Sequence, residues 1–284
     1  MSWSKTLSLR SLLPLLLVAS HALGSEGYIL GGGLEGDSAD GLGASIIGDF
    51  GLTEKTWISA ALARNTLDLP FRDDLETWYG DLGIDHWFNP IGIRAGVAYW
   101  GDKDNLESTD WRASAYWRAN KFSVSGDYES RDFSFDVSTV DLFPARRGGF
   151  SAEGIGITTR FELTDTVSLG LSGMGYDYDV NLRLDSSRGL LQLLTFSRLS
   201  LINSLVDYRA NASLGLKTGQ RRWQLDLGTW KGEVDGGTTR SATVRFLNPL
   251  GDNADVEFSL GLDDSEIYGS VTFFSVFLYF YGGS

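Results

Sequence analysis

Residues Val206 to Lys217 alternate without interruption, with Val206, Tyr208, Ala210, Ala212, Leu214 and Leu216 set against Asp207, Arg209, Asn211, Ser213, Gly215 and Lys217. Side chains two apart in a strand share a face, so this segment predicts a strand with one apolar and one polar surface. Asp255 to Asp263 repeats the pattern, Val256, Phe258, Leu260 and Leu262 opposing Asp255, Glu257, Ser259, Gly261 and Asp263. Trp111 to Arg118 sets Trp111, Ala113, Ala115 and Trp117 against Arg112, Ser114, Tyr116 and Arg118. Gly92 to Asp102 sets Ile93, Ala95, Val97 and Tyr99 against Arg94, Gly96, Ala98 and Trp100. Helical spacing is nearly absent from the chain.

Fourteen such segments can be drawn, near residues 26–36, 41–50, 56–66, 75–87, 91–102, 108–119, 121–135, 150–163, 167–180, 205–217, 221–233, 238–247, 254–262 and 265–281. Twelve would remain if some merge. Two-faced strands fit a soluble sandwich, whose apolar faces meet in a core, or a transmembrane barrel, whose apolar faces meet lipid and whose polar faces line a lumen. Connection lengths separate the two. Links after even-numbered strands are tight, as at Phe88-Asn89-Pro90 and Thr218-Gly219-Gln220, whereas Thr66 to Asp74, Ser134 to Gly149 and Asn181 to Ser204 all follow odd-numbered strands. Short turns at one end and long loops at the other are expected of an outer-membrane barrel. The fold class predicted is therefore all-β: a closed antiparallel transmembrane β-barrel.

The N-terminus agrees with that destination. Lys5 and Arg10 precede the apolar run Ser11 to Ala19, and Ala22-Leu23-Gly24 offers small residues for cleavage, so residues 1–24 read as a signal peptide and residues 25–284 as one barrel domain. The apolar run is about half of the ~20 residues a membrane-crossing helix needs. Losing it removes two basic groups and no acid from a chain whose net charge is already -13. That excess of acid excludes a nucleic-acid partner, and the lack of cysteine excludes disulfides and thiolate metal sites.

The chain holds 16 Phe, 11 Tyr and 9 Trp, and 35 Gly. Trp57, Trp87, Phe88, Phe122, Phe161 and Trp223 stand beside short turns, and Trp78, Tyr99, Trp100 and Trp111 lie toward the other end, which predicts two interfacial belts. Gly96, Gly154, Gly156, Gly170 and Gly215 fall on the polar phase, where they relieve crowding in a curved sheet. Gly31-Gly32-Gly33 lets the first strand bend, while Gly148-Gly149 and Gly236-Gly237 suit turns. The last strand ends Phe273-Phe274-Ser275-Val276-Phe277-Leu278-Tyr279-Phe280-Tyr281, followed by Gly282-Gly283-Ser284. On these features the mature chain resembles Gram-negative outer-membrane β-barrel proteins and, in length, the small monomeric porins. The resemblance implies insertion by the barrel assembly machinery, which reads alternating aromatics in a final strand. It also implies contact with outer-membrane lipids and lipopolysaccharide.

The polar phase supplies the lumen-lining candidates: Asp81, Asp85, Arg94, Arg112, Arg118, Asp127, Glu129, Arg160, Asp207, Arg209, Asp226, Arg245, Asp255 and Glu257, with Asp110 and Arg131 beside them. These either line a water-filled path for small polar solutes or pair across the interior and plug it. A structural or surface-binding barrel is the second reading, and a lipid-modifying enzyme the third. The enzyme reading meets an obstacle in histidine: His21 leaves with the signal peptide, and His86 falls on the lipid phase beside a short turn. No catalytic residue and no cofactor is implied, and metal could bind only at loop acids such as Asp102-Lys103-Asp104 or Asp263-Asp264. Within Asn181 to Ser204, Leu190, Leu191, Leu193, Leu194, Phe196, Leu201 and Ile202 predict a short amphipathic helix in an external loop, either folded inward or resting on the outer leaflet. The basic stretch Pro144-Ala145-Arg146-Arg147 is placed to meet lipopolysaccharide.

Overall fold

The computed structural model describes residues 27–67, 75–102, 106–137, 146–179, 205–233, 236–267 and 269–283. The signal peptide expected at residues 1–24, the helix expected within residues 181–204, Lys103-Asp104 and Pro144-Ala145 lie outside the described residues. The described residues form fourteen strands: β1 (Gly27–Asp37), β2 (Gly41–Thr53), β3 (Thr56–Leu67), β4 (Leu75–Trp87), β5 (Ile91–Asp102), β6 (Leu106–Arg118), β7 (Phe122–Val137), β8 (Arg146–Glu162), β9 (Val167–Tyr178), β10 (Val206–Thr218), β11 (Arg221–Gly232), β12 (Thr238–Pro249), β13 (Ala254–Ser265) and β14 (Gly269–Gly282). Each pairs antiparallel with its neighbours in sequence, and β14 pairs with β1 to close the barrel. Closure leaves no strand edge without partners, which hydrocarbon requires because it offers backbone groups nothing to bond. Strand lengths of 11 residues in β1 to 17 in β8 exceed the ~9–11 that a tilted strand needs to cross.

The register fixes which side chains face outward. Leu82 pairs with Val97, and Val97 with Trp111, on one side of the sheet; Asp85 pairs with Arg94, Arg94 with Ser114 and Ser114 with Asp127 on the other. The first set belongs to an exposed apolar band in which Ile155, Leu34 and Leu260 are 74%, 63% and 59% accessible. A band of that kind is an aggregation hazard in water and the favourable surface in lipid. The charged set faces in.

Connections follow the expected asymmetry. Links after even-numbered strands are tight, as at Glu54-Lys55 and Gly219-Gln220, while residues 68–74, 138–145 and 179–205 separate strands at the opposite end. Two expectations shift. β13 runs on to Ser265 and β14 begins at Gly269, so Asp263-Asp264 is strand and not loop, and Gly148-Gly149 is the paired start of β8 and not a turn.

Some of the inward glycines receive rings. A Cβ on Gly33 would lie 2.5 Å from Cγ and Cδ2 and 2.6 Å from Cε2 of Phe277, so the ring lies flat on the glycine of the adjoining strand. Tyr116 rests in the same way on Gly92, where a Cβ would lie 2.0 Å from Cζ. The run Gly31-Gly32-Gly33 is thus a seat for Phe277 and Tyr279, whose rings stack at 6.0 Å, before it is a bend.

Candidate functional site

The interior has two levels. At the long-loop end the inward side chains are withdrawn from solvent: Trp100, Arg131 and Phe273 are each 1% accessible, and Phe133, Phe150 and Tyr176 are buried with them. Arg131 on β7 is the centre of this layer. Its guanidinium lies over the rings of Phe133 (5.1 Å) and Tyr176 (5.5 Å), with Nε 3.4 Å from Asp110 and 3.8 Å from Glu129. An ion taken from water at such depth persists only where opposite charge and π-faces replace its hydration.

Below that layer lies a cavity of about 1060 Å³, reaching from Lys55 and Trp57 at the short-turn rim to Glu129 and Arg209. Asp81, Asp85, Arg94, Arg112, Arg118, Asp127, Glu129 and Arg209 all line it. Local pairing organises them. Arg94 donates to Asp85 at 2.5 Å, Arg112 donates to Asp81, and Arg209 donates to Glu129 at 3.1 Å. Hydroxyls complete the set: Tyr116 donates to Asp85 (2.7 Å), Tyr79 to Asp81 (2.8 Å), Tyr176 to Glu129 (2.7 Å) and Thr158 to Asp127 (2.9 Å). The carboxylates therefore stand against the wall, held by donors on their own strand and on strands up to three away.

The remaining candidates fall elsewhere. Arg160 bonds Glu162 at 2.8 Å near the short-turn end, Arg245 bonds Asp226 at 2.7 Å, and Asp255 accepts from Tyr281 at 2.8 Å. Glu257 sits between Leu247 and Phe277 in the ladder. Asp207 departs from the alternation. The register of β10 shifts between Val206 and Tyr208, which turns Val206 into the cavity and leaves Asp207 bonded to Lys231 at 2.7 Å on the outward phase.

Belt aromatics also divide. Trp78, Trp111 and Trp223 are outward and exposed, but Trp57 and Trp87 line the cavity and Trp100 is buried inside. The tyrosines that hold the carboxylates were not singled out by sequence: Tyr79 shares a face of β4 with Asp81 two residues on, which was the signal available, while Tyr116 on β6 and Tyr176 on β9 reach Asp85 on β4 and Glu129 on β7 across an intervening strand. His86 lies on the outer phase, its Nδ1 2.8 Å from Thr56 Oγ1 and its ring edge-on to Phe88. Asp263 and Asp264 point to opposite faces of β13, so they cannot share a cation, and no metal-ligating group of three appears among the described residues.

A closed barrel with an apolar exterior and a charged, partly hollow interior is a porin-like outer-membrane β-barrel. Solved structures share this fold. The CymD monoaromatic hydrocarbon channel superposes with a TM-score of 0.55 at 8% identity, over 93% of this chain and 90% of that one. A loop-deletion form of OmpT, an outer-membrane protein of Vibrio cholerae, gives 0.50 at 8% identity over 90% and 98%. The KdgM porin gives 0.45 at 10% identity over 89% and 98%. No family model matches the sequence. No curated protein matches it either.

Proposed function

We propose that this barrel is a passive outer-membrane channel for small polar solutes. The observation that carries the reading is the charged cavity of about 1060 Å³ enclosed by a lipid-compatible wall. Paired charges of both signs keep water and polar solutes inside at low cost without committing the path to one ion. The buried layer around Arg131 narrows that path at the long-loop end. Conductance is accordingly expected below that of an open water-filled cylinder of fourteen strands. On this reading residues 1–24 direct export, the assembly machinery inserts the barrel, and the outer rim meets lipopolysaccharide. Liposome swelling with uncharged sugars of graded size tests it: uptake that falls steeply with size supports the channel, and tight liposomes at every size refute it.

A further inference from the structure

We propose that the wall made by β4, β5 and β6 at the short-turn end of the cavity binds a small organic carboxylate. This rests on the interior being a solute path and names the class of solute. Three adjoining inward rows build the wall: Trp87, Gly92 and Tyr116; then Asp85, Arg94 and Ser114; then Gly83, Gly96 and Arg112. Successive rows stand about 7 Å apart, the two-residue repeat of a strand.

Hydrogen-bond capacity on this wall is lopsided. Each carboxylate already accepts from a guanidinium and a tyrosine, Asp85 from Arg94 and Tyr116, Asp81 from Arg112 and Tyr79. A guanidinium carries five donors, so each arginine keeps several after its ion pair. Arg112 Nε and Trp87 Nε1 are buried without a hydrogen-bond partner. Arg118 has no carboxylate partner among the described residues; its guanidinium lies 5.4 Å over the Tyr116 ring, with that of Arg94 at 4.9 Å over the same ring. Tyr116 has two effects: it gathers two guanidiniums, and its hydroxyl occupies the Asp85 oxygen that would otherwise neutralise more of Arg94.

Among the cavity-lining residues of β4, β5 and β6, Arg94, Arg112 and Arg118 stand against Asp81 and Asp85, so the wall is one positive charge in excess and keeps spare donors, inside a chain of net charge -13. Of the other carboxylates on the cavity, Asp49 and Glu54 belong to β2 and the turn after it, Asp127 on β7 is capped by Ser125 and Thr158, and Glu129 on β7 accepts from Arg209 and Tyr176. An oxyanion satisfies this surplus, and the Trp87 ring lining the same cavity favours one carried on a flat organic body.

Titration calorimetry of the detergent-solubilised barrel with benzoate, benzamide and inorganic phosphate tests the site without requiring conduction. Benzoate should bind at least about tenfold more tightly than benzamide, as expected for charge-assisted bonds. Arg118→Gln should weaken benzoate about tenfold and leave benzamide unchanged. Tyr116→Phe, which keeps the ring and releases the Asp85 oxygen, should also weaken benzoate. Equal binding of benzoate and benzamide, phosphate binding as tight as benzoate, or an Arg118→Gln barrel with native far-UV circular dichroism and unchanged benzoate affinity would each overturn the proposal. Benzoate binding by a barrel that does not conduct upholds the site and removes the channel; conduction without benzoate binding does the reverse.

Discussion

Gly33→Ala tests the packing that keeps the interior hollow. A Cβ at this position would stand 2.5 to 2.6 Å from three atoms of the Phe277 ring, so no small rotation clears it and the ring must lift from the wall. Two effects of opposite sign combine. Alanine in a strand gains about 0.5–1 kcal/mol over glycine because the unfolded chain has less freedom to lose. Overpacking costs about 1–3 kcal/mol, and a clash with three ring atoms belongs in its upper half, about 2–3 kcal/mol, so the expected outcome is a net loss of about 1–2.5 kcal/mol. With a urea slope of about 2 kcal/mol per molar, the midpoint should fall by roughly 0.5–1.3 M. In a Phe277→Ala background the clash is absent and only the gain remains, so Gly33→Ala should there be neutral or stabilising. Urea unfolding of the four proteins in detergent, followed by tryptophan fluorescence, closes the double-mutant cycle. Equal destabilisation by Gly33→Ala with and without the Phe277 ring would refute the seat-and-ring account.

Arg131→Met should destabilise the barrel by about 3–5 kcal/mol, because it takes the cationic partner from buried Asp110 and one of two from Glu129, which keeps Arg209; the same unfolding assay reads it. Ile155→Arg, on the outward phase of β8, should cost about 2–4 kcal/mol if that position lies near the bilayer midplane. A value near zero for a variant folded in vesicles would move Ile155 out of the hydrocarbon. In single-tryptophan variants, lipids brominated on their chains should quench Trp111 and Trp223 and spare Trp100, since the first two face out and the third is buried inside.

The architecture was legible because strand parity converts directly into faces. Once Asp85, Arg94 and Asp127 shared a phase, antiparallel pairing brought them onto one inner wall. Asp207 was misplaced because a bulge inserts one residue and reverses every face before it, and nothing in Val206-Asp207-Tyr208 marks it. Trp57, Trp87 and Trp100 were assigned to belts by nearness to strand ends, which fixes height along the barrel but not which side the ring takes. The β13–β14 turn was placed too early because Asp263-Asp264 looks like loop, whereas Asp263 is a buried inward acid and Asp264 accepts from Ser270 across the hairpin. Sequence spacing alone leaves invisible the way Tyr116 and Tyr176 occupy the carboxylates, since each hydroxyl reaches past an intervening strand, whereas Tyr79 and Asp81, two apart on β4, share a face by parity.

Whether solutes cross the membrane through this barrel is read by single-channel recording from purified, reconstituted protein in planar bilayers. Discrete, reproducible current steps of small amplitude are expected. Complete silence at every voltage from a barrel shown to be folded and inserted would rule out the channel.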